Sequence, residues 1–277
     1  MNTTEYLSKW AISYKDDIIN NIMPFWMKYG LDREHGGVYT CVNRDGSLMD
    51  TTKSVWFQGR FGFIAAYAYN NIEKNPQWLA ASKSCIDFIE AHCFDTDGHM
   101  FFEVTEDGKP LRKRRYVFSE GFAAIAMAEY ALATGEKEYA KKALDIFKRT
   151  LHFLNTPGFL EPKYLPTLPS RGHSITMILI NTASRIRMVI DDPSLTEQID
   201  TSIAALRKYF IHPEFKALLE MVGPDGEFID TCNGRVINPG HCIETAWFIM
   251  EEAKYRNWDK QLTDMALTIL DWSWEWG

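Results

Sequence analysis

Phe118-Ser119-Glu120-Gly121-Phe122-Ala123-Ala124-Ile125-Ala126-Met127-Ala128-Glu129-Tyr130-Ala131-Leu132 is the stretch that decides the fold class. Phe118, Phe122, Ile125, Glu129 and Leu132 recur at intervals of three or four, the spacing of one helix face, and alanines fill the positions between. Small side chains let helix backbones approach closely. This helix is therefore expected to be buried on two sides in a layered helical array. Ala65-Ala66-Tyr67-Ala68 has the same character.

Working outward, the helical period returns in Leu195, Ile199, Ile203, Leu206 and Phe210, and again in Ile243, Trp247, Met250 and Lys254. The pattern predicts about nine helices, over roughly 4–30, 53–74, 76–94, 117–134, 136–154, 172–190, 194–211, 239–256 and 258–275. Residues 35–46, 98–108 and 224–234 follow another rule: apolar and polar residues alternate, and an Asp-Gly or Asn-Gly pair supplies the positive φ of a tight turn. Each predicts a small β-hairpin. Helix, hairpin, helix pair and hairpin again make a weak long-period repeat. No Pro/Gly/Ser-rich linker interrupts the chain, which predicts one domain over residues 1–277. Trp272-Ser273-Trp274-Glu275-Trp276-Gly277 echoes Phe25-Trp26-Met27-Lys28-Tyr29-Gly30, after which a hairpin follows at once. The chain is thus expected to stop where another unit would begin.

Composition narrows the function classes. With 277 residues, 46% of them hydrophobic and 24% charged, the chain is neither disordered nor fibrous. A net charge of -7 gives a polyanion no encouragement, and no nucleic-acid partner is expected. The densest basic run, Arg112-Lys113-Arg114-Arg115, is flanked by Glu103, Glu106, Asp107 and Glu120 and reads as a solvated loop. The opening residues lack the basic and apolar regions of a signal peptide. The uncharged run over 61–72 contains Asn70 and Asn71 and is too short to span a bilayer, so no membrane association is expected. Five cysteines, odd in number and without a C-x-x-C pair, predict reduced thiols in a cytoplasm rather than a zinc site or a disulfide framework. Nucleotide loops, H-E-x-x-H, G-x-S-x-G and calcium-loop spacings are absent from the sequence, and no metal ligand set is predicted.

Asn238-Pro239-Gly240-His241-Cys242-Ile243-Glu244-Thr245-Ala246-Trp247 is the sharpest chemical feature. Asn238 suits an N-cap and Pro239 the first helical position, which puts His241 in the first turn, where the positive helix end favours the neutral ring. Glu244, three residues on, is in reach of that ring. A neutral histidine held by a carboxylate is what proton abstraction near neutral pH requires. A capping histidine packed under Trp247 fits the same residues. Trp56 and Arg60 share a face of the second helix, where an Arg beside a Trp offers bidentate hydrogen bonds and a stacking plane to a sugar or carboxylate. Arg60 pairing with a helix-end carboxylate is the alternative. Gln58 and Gly59 are unusual choices for a core helix. His173, Met177 and Asn181 form one stripe at i, i+4 and i+8, and Glu120 starts a helix between two aromatics; each reads either as a pocket residue or as a satisfied buried group.

Four motifs together resemble the N-acylglucosamine 2-epimerase family, whose relatives include cellobiose 2-epimerases and mannose or sulfoquinovose aldose–ketose isomerases. They are Y-G-x-D-x-x-x-G-G at 29–37, D-x-x-K-x-x-W-x-Q-x-R at 50–60, R-x-x-F-S-E at 115–120 and P-G-H-x-x-E-x-x-W at 239–247, in family order. The resemblance implies an all-α fold, an (α/α)6 barrel with short hairpins at its mouth, incomplete here at about nine of twelve helices. It implies a ring-opened sugar from which one histidine removes the proton α to the carbonyl, giving an enediolate, while a second returns it to C2.

His241 resembles one of these histidines, Arg60 the arginine on the enediolate oxygens, and Glu244 the carboxylate that orients His241. His173, Met177 and Asn181 resemble sugar contacts, and Trp56, Gln58, Glu120 and Trp247 join them as candidate substrate-binding residues. Met177 stands where cellobiose epimerases carry a histidine, which points to interconversion of N-acyl-D-glucosamine and N-acyl-D-mannosamine. No cofactor is implied, although ATP activates some relatives. The family's second catalytic histidine has no counterpart, because no histidine follows His241. A truncated epimerase is expected on that ground. A one-base aldose–ketose isomerase, a cellobiose epimerase and a non-catalytic carbohydrate-binding remnant stand as alternatives. A homodimer is expected to cover the inner-helix faces such an open barrel exposes. An unrelated (α/α)6 glycosidase or lyase would need paired acids, and the sequence offers no convincing pair.

Overall fold

Glycine and alanine set the spacing of the first helices. A Cβ on Gly59 would lie 2.6 Å from the Phe122 backbone, and one on Gly62 would lie 3.3 Å from the Ala126 and Cys85 Cβ atoms. Only small residues permit that approach. The helices so joined are α3 (Val55–Asn71) and α5 (Phe118–Thr134). Every residue of α5 from 119 to 131 is buried, as the deciding stretch predicts. The computed structural model describes residues 2–113, 116–162, 164 and 166–277. Arg114 and Arg115, half of the basic run and the start of the R-x-x-F-S-E motif, lie outside the described residues.

The chain divides into two compact units, Met1–Leu160 and Glu161–Gly277. In the first, α1 (Thr3–Asp17) runs through a π-turn (Ile18–Ile22) into α2 (Met23–Tyr29) as one unbroken helix. α4 (Pro76–His92) packs on α3, and α6 (Lys137–Asn155) packs on α5. These outer helices bury one face only: Tyr139, Ala143, Leu144, Ile146, Phe147 and Phe153 point inward on α6 while its charged residues face water. In the second unit α7 (His173–Arg187) packs on α8 (Pro193–Ala205) and on α9 (Pro239–Tyr255), and α9 on α10 (Lys260–Trp276). A further π-turn (Leu206–Phe210) extends α8. With α1 and α2 counted as one, all nine expected helices are present among the described residues, their ends shifted by a few positions.

Two of the three expected hairpins form. β1 (Cys41–Val42) pairs with β2 (Leu48–Asp50) around Gly46 at φ +88°, and β4 (Phe101–Val104) pairs with β5 (Pro110–Lys113) around Gly108 at φ +88°. β3 (Lys53–Ser54) completes the second sheet on the other edge of β4. Residues 224–234 contain no strand, and the hairpin expected there is corrected to a turn and a loop. Gly226, at φ +95°, closes a turn in which the Gly223 N–H donates to the Glu227 carbonyl. Beyond it the Thr231 and Gly234 N–H groups bond within the loop, to the Ile229 carbonyl and to Thr231 Oγ1. Local acceptors outcompete a partner strand. The strand that precedes this turn, β9 (Met221–Val222), pairs instead with β6 (Arg171–Gly172), and β7 (Ile211–His212) pairs with β8 (Ala217–Leu218).

Two conspicuous motif residues serve the fold. Lys53 is fully buried; its Nζ donates to Asp32 Oδ2 at 2.7 Å and to the Gly36 and Glu106 carbonyls at 2.8 Å. Burial alone would raise the Asp32 carboxyl, but Lys53 and the His35 and Glu34 N–H groups hold it at about 2. Gln58 is also fully buried. Its Oε1 accepts from the Val38 N–H at 2.9 Å and its Nε2 donates to the Val38 carbonyl at 2.6 Å, which pins the Gly36-Gly37 turn to α3.

Candidate active site

The second unit brings together three side chains that are far apart in sequence. Asn238 caps α9: its Oδ1 accepts from the His241 N–H at 3.2 Å, and Pro239 fills the first turn, as the local sequence predicts. His241 therefore projects from a helix N-terminus, with its side chain 40% exposed. His173 opens α7 and is completely buried. Between them lies Glu220, in the link from β8 to β9. The His173 N–H donates to the Glu220 carbonyl at 3.0 Å, which ties that link to the start of α7.

Glu220 Oε1 is 2.8 Å from His241 Nδ1 and 3.5 Å from His173 Nδ1. The other nitrogen of His173, Nε2, is 2.9 Å from Thr245 Oγ1, one turn beyond His241 on α9. Burial pushes the Glu220 carboxyl up, but the His173 and then the His241 imidazole beside it outweigh that and hold the group below its ordinary value. Glu220 is thus a carboxylate at neutral pH. It also borders a cavity of about 780 Å³ whose lining includes Tyr164, Ser170, Arg171, Ser174, Asn233 and Asn238. That volume suits a small polar molecule, and the lining supplies hydroxyl, amide and guanidinium groups.

An imidazole that donates Nδ1–H to a carboxylate presents a lone pair at Nε2. The geometry can therefore take a proton from a carbon or oxygen acid next to His241, with Glu220 stabilising the imidazolium that forms. His173, Glu220 and His241 each offer one ligand atom, and these atoms lie within 4.8 Å of one another.

Several expected site residues are corrected. The carboxylate on His241 is Glu220, and Glu244 is half-buried with no hydrogen bond to the ring. A spacing of three places Glu244 on a neighbouring face of α9, turned from a ring that leans toward the β8–β9 link. Gln58 spends both ends of its amide on Val38. Glu120 Oε1 accepts from the Met100 N–H at 2.7 Å and meets His99 Nδ1 at 2.5 Å, fully buried beneath the second sheet. Asn181 borders a different cavity, of about 300 Å³, with Arg187, Glu252 and Tyr255. Of the α7 stripe only His173 reaches the Glu220 cluster: Met177 is packed in the core, and two turns of helix carry Asn181 away. Trp247 is 48% exposed and rests against Phe248, so it does not cover His241.

In the first unit Trp56 packs edge-on against Phe102 and Phe118 and at a tilt against Phe122. Arg60, one turn on, is exposed with its guanidinium 4.4 Å above the Phe122 ring. It makes no ion pair among the described residues, so the alternative of a helix-end partner is not realised. Sequence reasoning missed Glu220. The signal was there: it is the lone charge in Ala217-Leu218-Leu219-Glu220-Met221-Val222, an apolar run.

Comparison with solved structures defines the class. The chain superposes on the cellobiose 2-epimerase of Bacillus thermoamylovorans B4167 with a TM-score of 0.83 at 21% identity, over 95% of this chain and 71% of that one. This is an (α/α)6 barrel fold. The particular family follows from sequence: residues 37–276 match the profile of N-acylglucosamine 2-epimerase, and the chain belongs to that family. The N-acylglucosamine 2-epimerase of Rattus norvegicus is 30% identical over 244 residues, which cover 85% of this chain and 58% of the relative. The cellobiose 2-epimerase of Eubacterium cellulosolvens is 29% identical over 54% of this chain and 37% of its own length. The chain thus spans a little under three fifths of the rat relative.

Proposed function

We propose that this chain interconverts N-acyl-D-glucosamine and N-acyl-D-mannosamine by moving the proton at C2 of the open-chain sugar. The observation that carries the proposal is the Glu220–His241 pair beside a sugar-sized cavity. His241 Nε2 takes the C2 proton, the C–H electron pair becomes the C1–C2 double bond of an enolate whose C2 carries the acylamino group, and the negative charge settles on the former carbonyl oxygen. Glu220 holds Nδ1–H and stabilises the imidazolium. Delivery of a proton from water to the opposite face of C2 gives the epimer, and His241 releases its own proton to solvent. With a hexose, whose C2 carries a hydroxyl, the intermediate is an enediolate and protonation at C1 gives a ketose. The relatives that share the longer stretch of this chain are named for the first outcome, which supports it. No cofactor enters these steps.

The test is proton exchange in deuterated water. Incubation with N-acetyl-D-glucosamine should place deuterium at C2, read by mass spectrometry or NMR, and the mannosamine epimer should appear. Exchange and ketose formation from a hexose such as D-mannose, with the hexosamine left unchanged, would establish the isomerase instead. Absence of exchange with any hexose or hexosamine would leave a carbohydrate-binding protein.

All five cysteines are free, which supports a reducing, cytoplasmic setting, and among the described residues no helix is long and apolar enough to cross a membrane. A homodimer is supported by large apolar side chains left in solvent, Trp274 at 79% and Leu7 at 61% exposure among them. Sedimentation at micromolar concentration tests it.

A further inference from the structure

We propose that His173, Glu220 and His241 also form a binding site for a divalent transition-metal ion, with zinc preferred, and that occupancy of this site stops His241 from acting as a base. Three observations carry the site. First, the ligand atoms converge. Glu220 Oε1 lies 2.8 Å from His241 Nδ1 and 3.5 Å from His173 Nδ1, and one ligand atom from each of the three residues falls within 4.8 Å of the others. Ligands about 2.0–2.1 Å from a tetrahedral zinc ion sit about 3.3 Å apart, so a small rotation of the half-exposed His241 ring closes the set. Second, His173 Nδ1 is fully buried and points into the cluster, where Glu220 Oε1 lies 3.5 Å away and no well-formed hydrogen bond satisfies it. Its Nε2 meets Thr245 Oγ1 at 2.9 Å, and a proton kept there leaves the Nδ1 lone pair facing the ion. Third, the cluster is reachable: the Glu220 side chain is 17% exposed and lines the larger cavity, which leaves room for a water as fourth ligand. The ion displaces the Asn238 amide nitrogen, now 3.1 Å from His241 Nδ1. Two imidazoles and one carboxylate suit zinc, nickel or cobalt, and disfavour magnesium and calcium, which take oxygen ligands.

The consequence for chemistry rests on the proposed proton transfer. A neutral imidazole that gives its Nδ1 lone pair to a metal carries its single proton on Nε2. That is the atom that must receive the C2 proton. Metal binding and base catalysis therefore exclude one another, and the cluster acts as a metal-sensitive brake on its own site.

The experiment is equilibrium dialysis of the metal-free 277-residue protein against zinc, in a Cys41→Ser, Cys232→Ser background that removes the exposed thiols. Cobalt(II) absorption gives the geometry. One zinc per chain is expected, with tetrahedral cobalt bands, at least tenfold weaker binding in His241→Ala and in Glu220→Gln, and loss of C2 exchange as zinc fills the site. Zinc binding unchanged in both variants, or no stoichiometric zinc at all, overturns the site. Zinc bound at the cluster with exchange undiminished overturns the brake. A metal-free protein that exchanges no C2 proton sinks the proposed function, and the dialysis and cobalt spectra still decide the site.

Discussion

Each unit contains a carboxylate–imidazole pair, and the two differ in their access to solvent. In the first, His99 Nδ1 meets Glu120 Oε1 at 2.5 Å; His99 is 4% exposed and Glu120 1%. The Met100 N–H bonds the same oxygen, and the His99 ring sits edge-on to Phe153 and Phe159. In the second, His241 keeps 40% of its side chain in solvent, and Glu220 borders a cavity of about 780 Å³. The chemistry of the partners is the same. What differs is access: a sealed pair fixes the path of the chain, whereas a half-open pair can exchange its proton with a ligand. Lys53 and Asp32 extend the first case, since every contact of that buried ammonium is to protein. A motif residue is therefore no guide to catalysis until its exposure is known.

The largest expected effect separates the pairs outright. His241→Ala should lower C2 exchange by about 10²–10⁴-fold with the melting transition nearly in place, the range of a lost general base. His99→Ala should do the reverse, destabilising the fold by about 3 kcal/mol because Glu120 is left buried without its partner, while exchange per folded molecule stays within a few-fold. Denaturant titration and deuterium incorporation on both variants check the contrast. Equal loss of exchange in the two would erase the distinction.

A smaller effect sharpens the assignment of the orienting carboxylate. Glu220→Gln should reduce exchange by about 10–10³-fold through the wrong tautomer of His241, the logic of an orienting carboxylate behind a catalytic histidine. Glu244→Gln should change it less than about threefold, because Glu244 does not touch the ring. The opposite ranking, measured as kcat/KM or exchange rate, would return the role to Glu244.

The smallest effect concerns Asp32 and follows from pH. Its carboxyl is held at about 2, below the ordinary 3.8. A depressed pKa makes the unfolded state bind the proton first, so the contribution to stability, about 2 kcal/mol, is complete above pH 4 and disappears as pH falls toward 2. Urea titrations at neutral pH and near pH 3 should show about half of that loss in the native protein, and a smaller acid-dependent loss in Asp32→Asn. A flat acid limb in the native protein would contradict it.

Much of the fold was legible because helical periodicity is local. The alanine stretch around Phe122 predicts a helix buried on both sides, and α5 is buried along most of its length. The hairpin over 224–234 was misread because Asp225-Gly226 announces a turn, whereas pairing depends on which strand lies alongside, and β9 pairs with β6. The site was half legible. Asn238-Pro239-Gly240-His241 predicts a capped helix with its imidazole at the mouth, and the structure has it. Gln58 and Glu120 looked available because sequence shows polarity but not the groups already bonded to it.

Sequence alone determined what depends on neighbours within a turn or two: the helices, the tight turns, the cap that presents His241, and membership of a family whose motifs run in order. Tertiary structure decided which carboxylate meets that ring. Glu220 lies 21 residues before His241 and 47 after His173, and no short-range periodicity relates them. The β6–β9 pairing and the His173-to-Glu220 backbone bond bring the three together. Such long-range closures are fixed only when the whole core packs, because the entropy of each loop is repaid by contacts elsewhere in the fold.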